Sequence, residues 1–300
     1  MNELYHMCTL CPRACKVDRA AGQTGFCGAG VLPVVARAAL HHWEEPCISG
    51  ARGSGAVFFA HCTLACVYCQ NASISRGGKG IEVTPRRLAE IFLSLQQQGA
   101  HNINLVTPTH YLPSIMEALD QAKAQGLALP VIYNCGGYET VETVRLLKDY
   151  VNVWLPDWKY FDKNRAARYS AAPDYLARVE KAICQMARQA GSPQFDAEGI
   201  LQRGVMIRHL LLPGGLGDAK RILSWIRKEL KNRVLVSLMS QFTPTKELKR
   251  YPEINRTIRP IEYKALLAFG EKLGIERGYT QELSASGAEY IPAFDGEGVV

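Results

Sequence analysis

Ten cysteines stand in this chain of 300 residues, and seven of them fall in two tight groups. Cys62, Cys66 and Cys69 are spaced C-x3-C-x2-C, and Cys8, Cys11, Cys15 and Cys27 are spaced C-x2-C-x3-C-x11-C. Burial alone does not cluster cysteine in this way; isolated cysteines such as Cys47 and Cys184 read as small buried hydrophobes. Three thiolates on one short loop can hold three irons of a four-iron cubane and leave the fourth iron open to a substrate or cofactor. A structural zinc site would want a fourth protein ligand, and His61, directly beside Cys62, is too cramped to serve. Four thiolates instead close a site. Structural zinc, a single iron and a second, auxiliary iron–sulfur cluster are all open readings of the N-terminal group.

Composition is consistent with metal rather than disulfides. The start, Met1-Asn2-Glu3-Leu4-Tyr5-His6, has no basic region followed by an apolar run, and no apolar stretch of about 18 residues occurs, so neither secretion nor membrane spanning is expected. In the reducing cytoplasmic compartment this implies, thiols stay free for metal. The net charge of +7 permits an anionic partner without requiring one. No platform of aromatic and basic residues interleaves, which argues against nucleic acid as a partner.

The elements that must position these thiols read as α/β. From about residue 55 short β-branched runs alternate with stretches of helical period, a pattern that predicts a parallel sheet with crossover helices. Six strands are expected at Ala56 to Ala60, Ile103 to Val106, Pro130 to Asn134, Val151 to Leu155, Val205 to Leu212 and Val234 to Leu238. Thr84 and Pro85 should start a helix with the apolar stripe Leu88, Ile91, Phe92, Leu95, and Gly99 should end it. Pro113 and Gly126 bracket a second helix. Six βα units are too few for a closed eight-unit barrel, which leaves an open six-unit barrel or a doubly wound sheet. Residues 1–54 lack the alternation and are expected to form a small cysteine-rich metal-binding module ahead of a catalytic unit at 55–300. Gly191 to Gly199 reads as a surface loop, and Lys246 to Arg259 as a solvated one.

The three-cysteine loop directly follows the first of those strands, and in Cys62-Thr63-Leu64-Ala65-Cys66-Val67-Tyr68-Cys69 an aromatic residue precedes the last cysteine. In this the chain resembles the radical S-adenosylmethionine superfamily. The resemblance implies an open partial (β/α)6 TIM-like barrel and a 4Fe-4S cluster on Cys62, Cys66 and Cys69. Its open iron would be chelated by S-adenosylmethionine, whose reductive cleavage gives a 5'-deoxyadenosyl radical that abstracts a hydrogen atom. It further implies that Tyr68 packs near the adenine and that a low-potential electron donor such as flavodoxin or ferredoxin is a partner. Cys69-Gln70-Asn71, Leu155-Pro156-Asp157-Trp158-Lys159 and Ile207-Arg208-His209 with the following Leu-Leu-Leu-Pro-Gly are similar to the pyruvate formate-lyase activating branch. That similarity assigns Asp157, Lys159 and Arg208 to the cofactor's polar groups and makes a glycyl radical enzyme an expected partner. A carboxylate in a semi-enclosed site does need Lys or Arg.

One element departs from that pattern. After the second strand the chain reads Val106-Thr107-Pro108-Thr109-His110-Tyr111, with no carboxylate where most such enzymes carry one. Thr109 could accept the ammonium bonds, and His110 is a candidate catalytic acid or base. Asn134 after the third strand is a candidate cofactor contact, Cys135 a candidate reactive thiol, and Gln241 completes the polar strand ends. Alternative functions are radical modification of a small molecule or RNA, and a non-catalytic iron–sulfur protein. The last is disfavoured because electron carriers usually complete each cluster with four ligands.

Overall fold

The structure is a computed structural model and describes residues 3–282 and 292–300. Ten strands form one sheet: β1 (Val34–His41), β2 (Ser54–Phe59), β3 (Ile81–Glu82), β4 (Ile103–Val106), β5 (Val131–Cys135), β6 (Val153–Pro156), β7 (Gln194–Phe195), β8 (Leu201–Leu210), β9 (Leu235–Met239) and β10 (Gly278–Thr280). β2, β4, β5, β6, β8 and β9 are neighbours in chain order and all parallel. These are the six expected strands, each within a few residues of its expected limits. A doubly wound sheet reverses strand order at a switch point; here the order never reverses, so the winding is that of an open barrel.

Four strands were not foreseen. β1 pairs antiparallel with β2 and also with β3, so residues ahead of position 55 belong to the same sheet. β10 extends it beyond β9, and β7 pairs with β8 inside the stretch expected to be a plain loop. β1 was missed because its Ala-rich run, Val-Val-Ala-Arg-Ala-Ala-Leu-His, carries little β-branched signal.

The crossover helices form where the caps place them. Thr84 accepts from the Arg87 amide at 3.2 Å, Pro85 opens helix Pro85–Gln97, and the stripe Leu88, Ile91, Phe92 and Leu95 is fully buried against the sheet. Replacing such a cap by alanine costs about 1 kcal/mol. Gly99 follows at φ +88°, a conformation that favours glycine. Helix Leu112–Ala124 repeats the plan with Pro113 in its first turn, and Thr140 caps Val141–Leu146 by accepting from Thr143. Along each strand alternate side chains face the lumen. Its deepest part is filled by Ile132, Val153, Met206 and Leu235 together with Cys47 and Ile48 of the short helix Pro46–Ser49. Among the described residues, no helix is long and apolar enough to cross a membrane.

Candidate active site

The strand ends deliver the expected residues to one cavity. β2 stops at Phe59, His61 turns the chain at φ +69°, and the loop 62–69 folds over the lumen. Helix Lys163–Ser170 holds that loop: the amides of Ala65 and Val67 donate to Ser170 O and Tyr169 O at 3.3 and 2.8 Å. Cys66 Sγ lies 2.9 Å from Ser170 Oγ, and Cys69 Sγ lies 3.3 Å from Ser75 Oγ. Tyr68 is buried, accepts from the Tyr160 hydroxyl at 2.7 Å and packs at a tilt on Phe242.

Cys62, Cys66, Cys69, Tyr68, Asn134, Cys135, Asp157, Lys159, Arg208 and Gln241 all line this cavity. Its volume is about 260 Å3. Small-molecule pockets usually measure about 300–1,000 Å3, so the cavity is near the lower end of the size that takes one small cofactor. Asp157 ties its two cations: Lys159 Nζ donates to Oδ2 at 2.7 Å and Arg208 Nε to Oδ1 at 3.0 Å. Burial pushes the Asp157 carboxyl up, but Lys159 and Arg208 outweigh it and hold it below the usual range. Tyr175 fixes the backbone beneath, its hydroxyl bonded to Gly136 O, Asp157 O and the Lys159 amide. At Gly137, φ +74°, a Cβ would overlap Asp157 O, so only glycine lets the β5 and β6 ends approach.

The three thiols fit a cluster by donor type, by the cavity they share and by what burial does to them. Burial pushes the Cys62 thiol up and its neighbours Cys66 and Cys69 push it further; Cys66 is raised by burial too, against the nearby Lys159. Coordination to a metal reverses that penalty, because a coordinating thiol is deprotonated outright. As free thiols they stand apart, and among the described residues no three Cys, His, Asp or Glu side chains converge as a metal cage.

His110, in the turn Thr109–Tyr111 that follows Thr107 at φ +60°, is not among the residues lining the central cavity. It faces instead a smaller cavity lined by Cys8, Cys11, Cys15 and Cys27, with Nε2 2.8 Å from Ala60 O. Burial lowers its pKa to about 3, so the ring is neutral. Thr109 turns away as well and donates to Glu139 at 2.8 Å. Cys135 reaches the central cavity; burial, then Glu139, pushes its thiol well up.

Two acids escaped the sequence reading. Glu44, between β1 and helix Pro46–Ser49, reaches the central cavity; its Oε2 accepts from Arg208 Nη1 at 2.9 Å, and its Oε1 from Asn104 at 3.2 Å and Asn134 at 3.3 Å. Arg208 also donates to Asn134 Oδ1 at 2.5 Å. A carboxylate is thus present in the lumen, supplied from outside the βα pattern. No spacing signal marks it. Glu139 is fully buried, accepts from Thr109 and the Tyr133 hydroxyl, and burial raises it to about 8. It follows the Cys135-Gly136-Gly137 turn, which was the only hint.

The family model described as "Radical SAM superfamily" matches residues 57–226. An uncharacterized protein of Methanocaldococcus jannaschii is 29% identical over 288 residues, 93% of this chain and 78% of that one. Among solved structures, a radical SAM methyltransferase from Sphaerobacter thermophilus superposes with TM-score 0.51 at 12% identity, covering 75% of this chain and 66% of that one. SuiB of Streptococcus suis, bound to S-adenosylmethionine, gives 0.51 at 12% identity over 74% of this chain and 48% of its own. The chain therefore spans between half and two thirds of those structures, and at such identity the likeness is one of fold.

Proposed function

The chain belongs to the radical SAM superfamily, and on that premise we propose an enzyme that cleaves S-adenosylmethionine at a 4Fe-4S cluster held by Cys62, Cys66 and Cys69. When bound, the cluster supplies the electron that splits the sulfonium and so yields the 5'-deoxyadenosyl radical that takes a hydrogen atom from substrate. The observation that carries the reading is the shared cavity: three thiols, a buried aromatic and the Asp157, Lys159, Arg208 set face one lumen. Arg208 and Lys159 bind the methionyl carboxylate, Asp157 holds both cations in place, and Tyr68 walls the adenine side. Asn134, fixed by Arg208 and Glu44, offers the remaining polar contact.

Activation of a glycyl radical enzyme rests on the sequence resemblance alone, at Gln70-Asn71, Asp157-Trp158-Lys159 and Ile207-Arg208. A low-potential electron donor of the flavodoxin or ferredoxin class and a cytoplasmic setting belong to the same reading. A second metal at the N-terminal cysteines is not required by it. The test is anaerobic reconstitution with iron, sulfide and a strong reductant, with 5'-deoxyadenosine as readout. Wild type should form it and Cys66→Ala should not; equal formation by the variant would end the assignment.

A further inference from the structure

Arg19 is a buried cation in an unusual setting. It is 2% exposed, and its guanidinium donates to three carbonyls, Ala29 O at 3.1 Å, His110 O at 2.6 Å and Gly30 O. Among the described residues no carboxylate pairs with it. Carbonyls solvate a guanidinium but do not neutralise it, and a buried charge without a counter-charge is costly. Its guanidinium also lies over the Tyr5 ring, 4.6 Å from the centroid, and faces sulfur: it lines the small cavity with Cys8, Cys11, Cys15 and Cys27, and its Nη1 lies 3.9 Å from Cys8 Sγ.

A second atom at the same cavity wants a partner. His110 is 2% exposed and lines the cavity; its Nε2 is taken by Ala60 O, and Nδ1 is buried with no hydrogen-bond partner. With Nε2 donating, Nδ1 presents a lone pair that an S–H of the free thiols could meet; it takes no part in a centre closed by four thiolates. The space is small, about 10 Å3, and glycine is required at position 25 because a Cβ would crowd Cys15 Sγ.

We propose that Cys8, Cys11, Cys15 and Cys27 bind one divalent metal ion of the zinc or iron kind as thiolates, with Arg19 as the buried counter-ion of the resulting anionic centre. Four thiols release four protons to solvent, the metal and four thiolates carry a net charge of 2−, and Arg19 offsets one unit of it. Binding draws together thiols that stand apart as free groups. The site is also a brace. Arg13, between Cys11 and Cys15, donates to Thr63 O at 3.0 Å inside the open loop and to Ala171 O at 2.5 Å, and Cys27 O lies 3.1 Å from His61 Nδ1. This inference goes beyond the radical reading and does not depend on it.

The test uses the full chain with Cys62, Cys66 and Cys69 all changed to alanine, which removes the open site. Purified anaerobically and loaded with zinc, it should retain about one equivalent after chelator treatment. Adding Cys11→Ser should abolish retention, Arg19→Met should weaken zinc affinity about tenfold, and Arg19→Lys should restore most of it. No retained zinc, or several irons with sulfide on loading with iron, would overturn the single-ion site. Unchanged affinity in Arg19→Met would overturn the counter-ion, whatever the outcome of the 5'-deoxyadenosine assay.

Discussion

The loop that carries Cys62, Cys66 and Cys69 opens onto a cavity of about 260 Å3, whereas Cys8, Cys11, Cys15 and Cys27 line one of about 10 Å3. Around the first group the charges are mutually satisfied: Lys159 and Arg208 share Asp157, and Arg208 adds Glu44. Around the second a lone guanidinium rests on carbonyls. A site that exchanges ligands needs charged groups held ready yet neutral in sum, because an uncompensated lumen would be costly while empty. A site that keeps one ion can leave its counter-charge permanently in place. On the two proposals above, the same residue type would serve turnover in one region and retention in the other.

That contrast can be broken most sharply at the thiols. Replacing Cys62, Cys66 or Cys69 by alanine should lower 5'-deoxyadenosine formation by about a thousandfold or more, since each holds an iron of the open cluster. Cys8→Ser and Cys15→Ser should leave it within about tenfold, because they act only through the brace. Comparable losses from both sets would erase the distinction. A smaller effect is expected at Arg208→Lys. An ammonium cannot meet Asp157, Glu44 and Asn134 at once, so S-adenosylmethionine affinity measured by calorimetry should fall about ten- to a hundredfold.

Glu44→Gln sharpens the picture through its sign. If Glu44 holds Arg208 in orientation, the variant should bind S-adenosylmethionine about tenfold more weakly; if it merely competes for the guanidinium, binding should tighten. The first outcome is expected, because Asn104 and Asn134 both grip the same carboxylate.

A last effect, on stability rather than turnover, lies at Glu139. Its folded pKa of about 8 exceeds the usual carboxyl value of 4.5, so the folded state binds the extra proton between those two values. Its contribution to stability is complete below pH 4.5, declines as pH rises and is spent above about 8, a change of at most about 5 kcal/mol. Urea midpoints of Glu139→Gln should show a flatter fall from pH 5 to pH 8 than wild type. Parallel curves would mean that Glu139 ionises without cost.

The sequence made the parallel frame legible because its strands are β-branched and its crossover helices carry local stop and start signals such as Thr84, Pro85 and Gly99. Spacing located the thiols, and the family resemblance singled out Asp157, Lys159 and Arg208 at the strand ends. What it could not supply was direction. Placing His110 after a strand says nothing of which cavity it lines, and it lines the small one beside the N-terminal cysteines. Glu44 and Arg19 were invisible for a related reason. Each gains its role from partners more than 60 residues away in Arg208 and His110, and no periodicity records such a meeting.

The grip on the open loop carries a consequence for biogenesis. Val67 is bonded to Tyr169, Cys66 to Ser170, and Arg13 to Thr63, Ser170 and Ala171 at once. On a ribosome the thiols of residues 62–69 emerge about a hundred residues before the helix that shapes their loop, and such non-local contacts form late. Iron delivery to a nascent chain would meet an unshaped loop, so the cofactor's entry belongs after synthesis has passed residue 171.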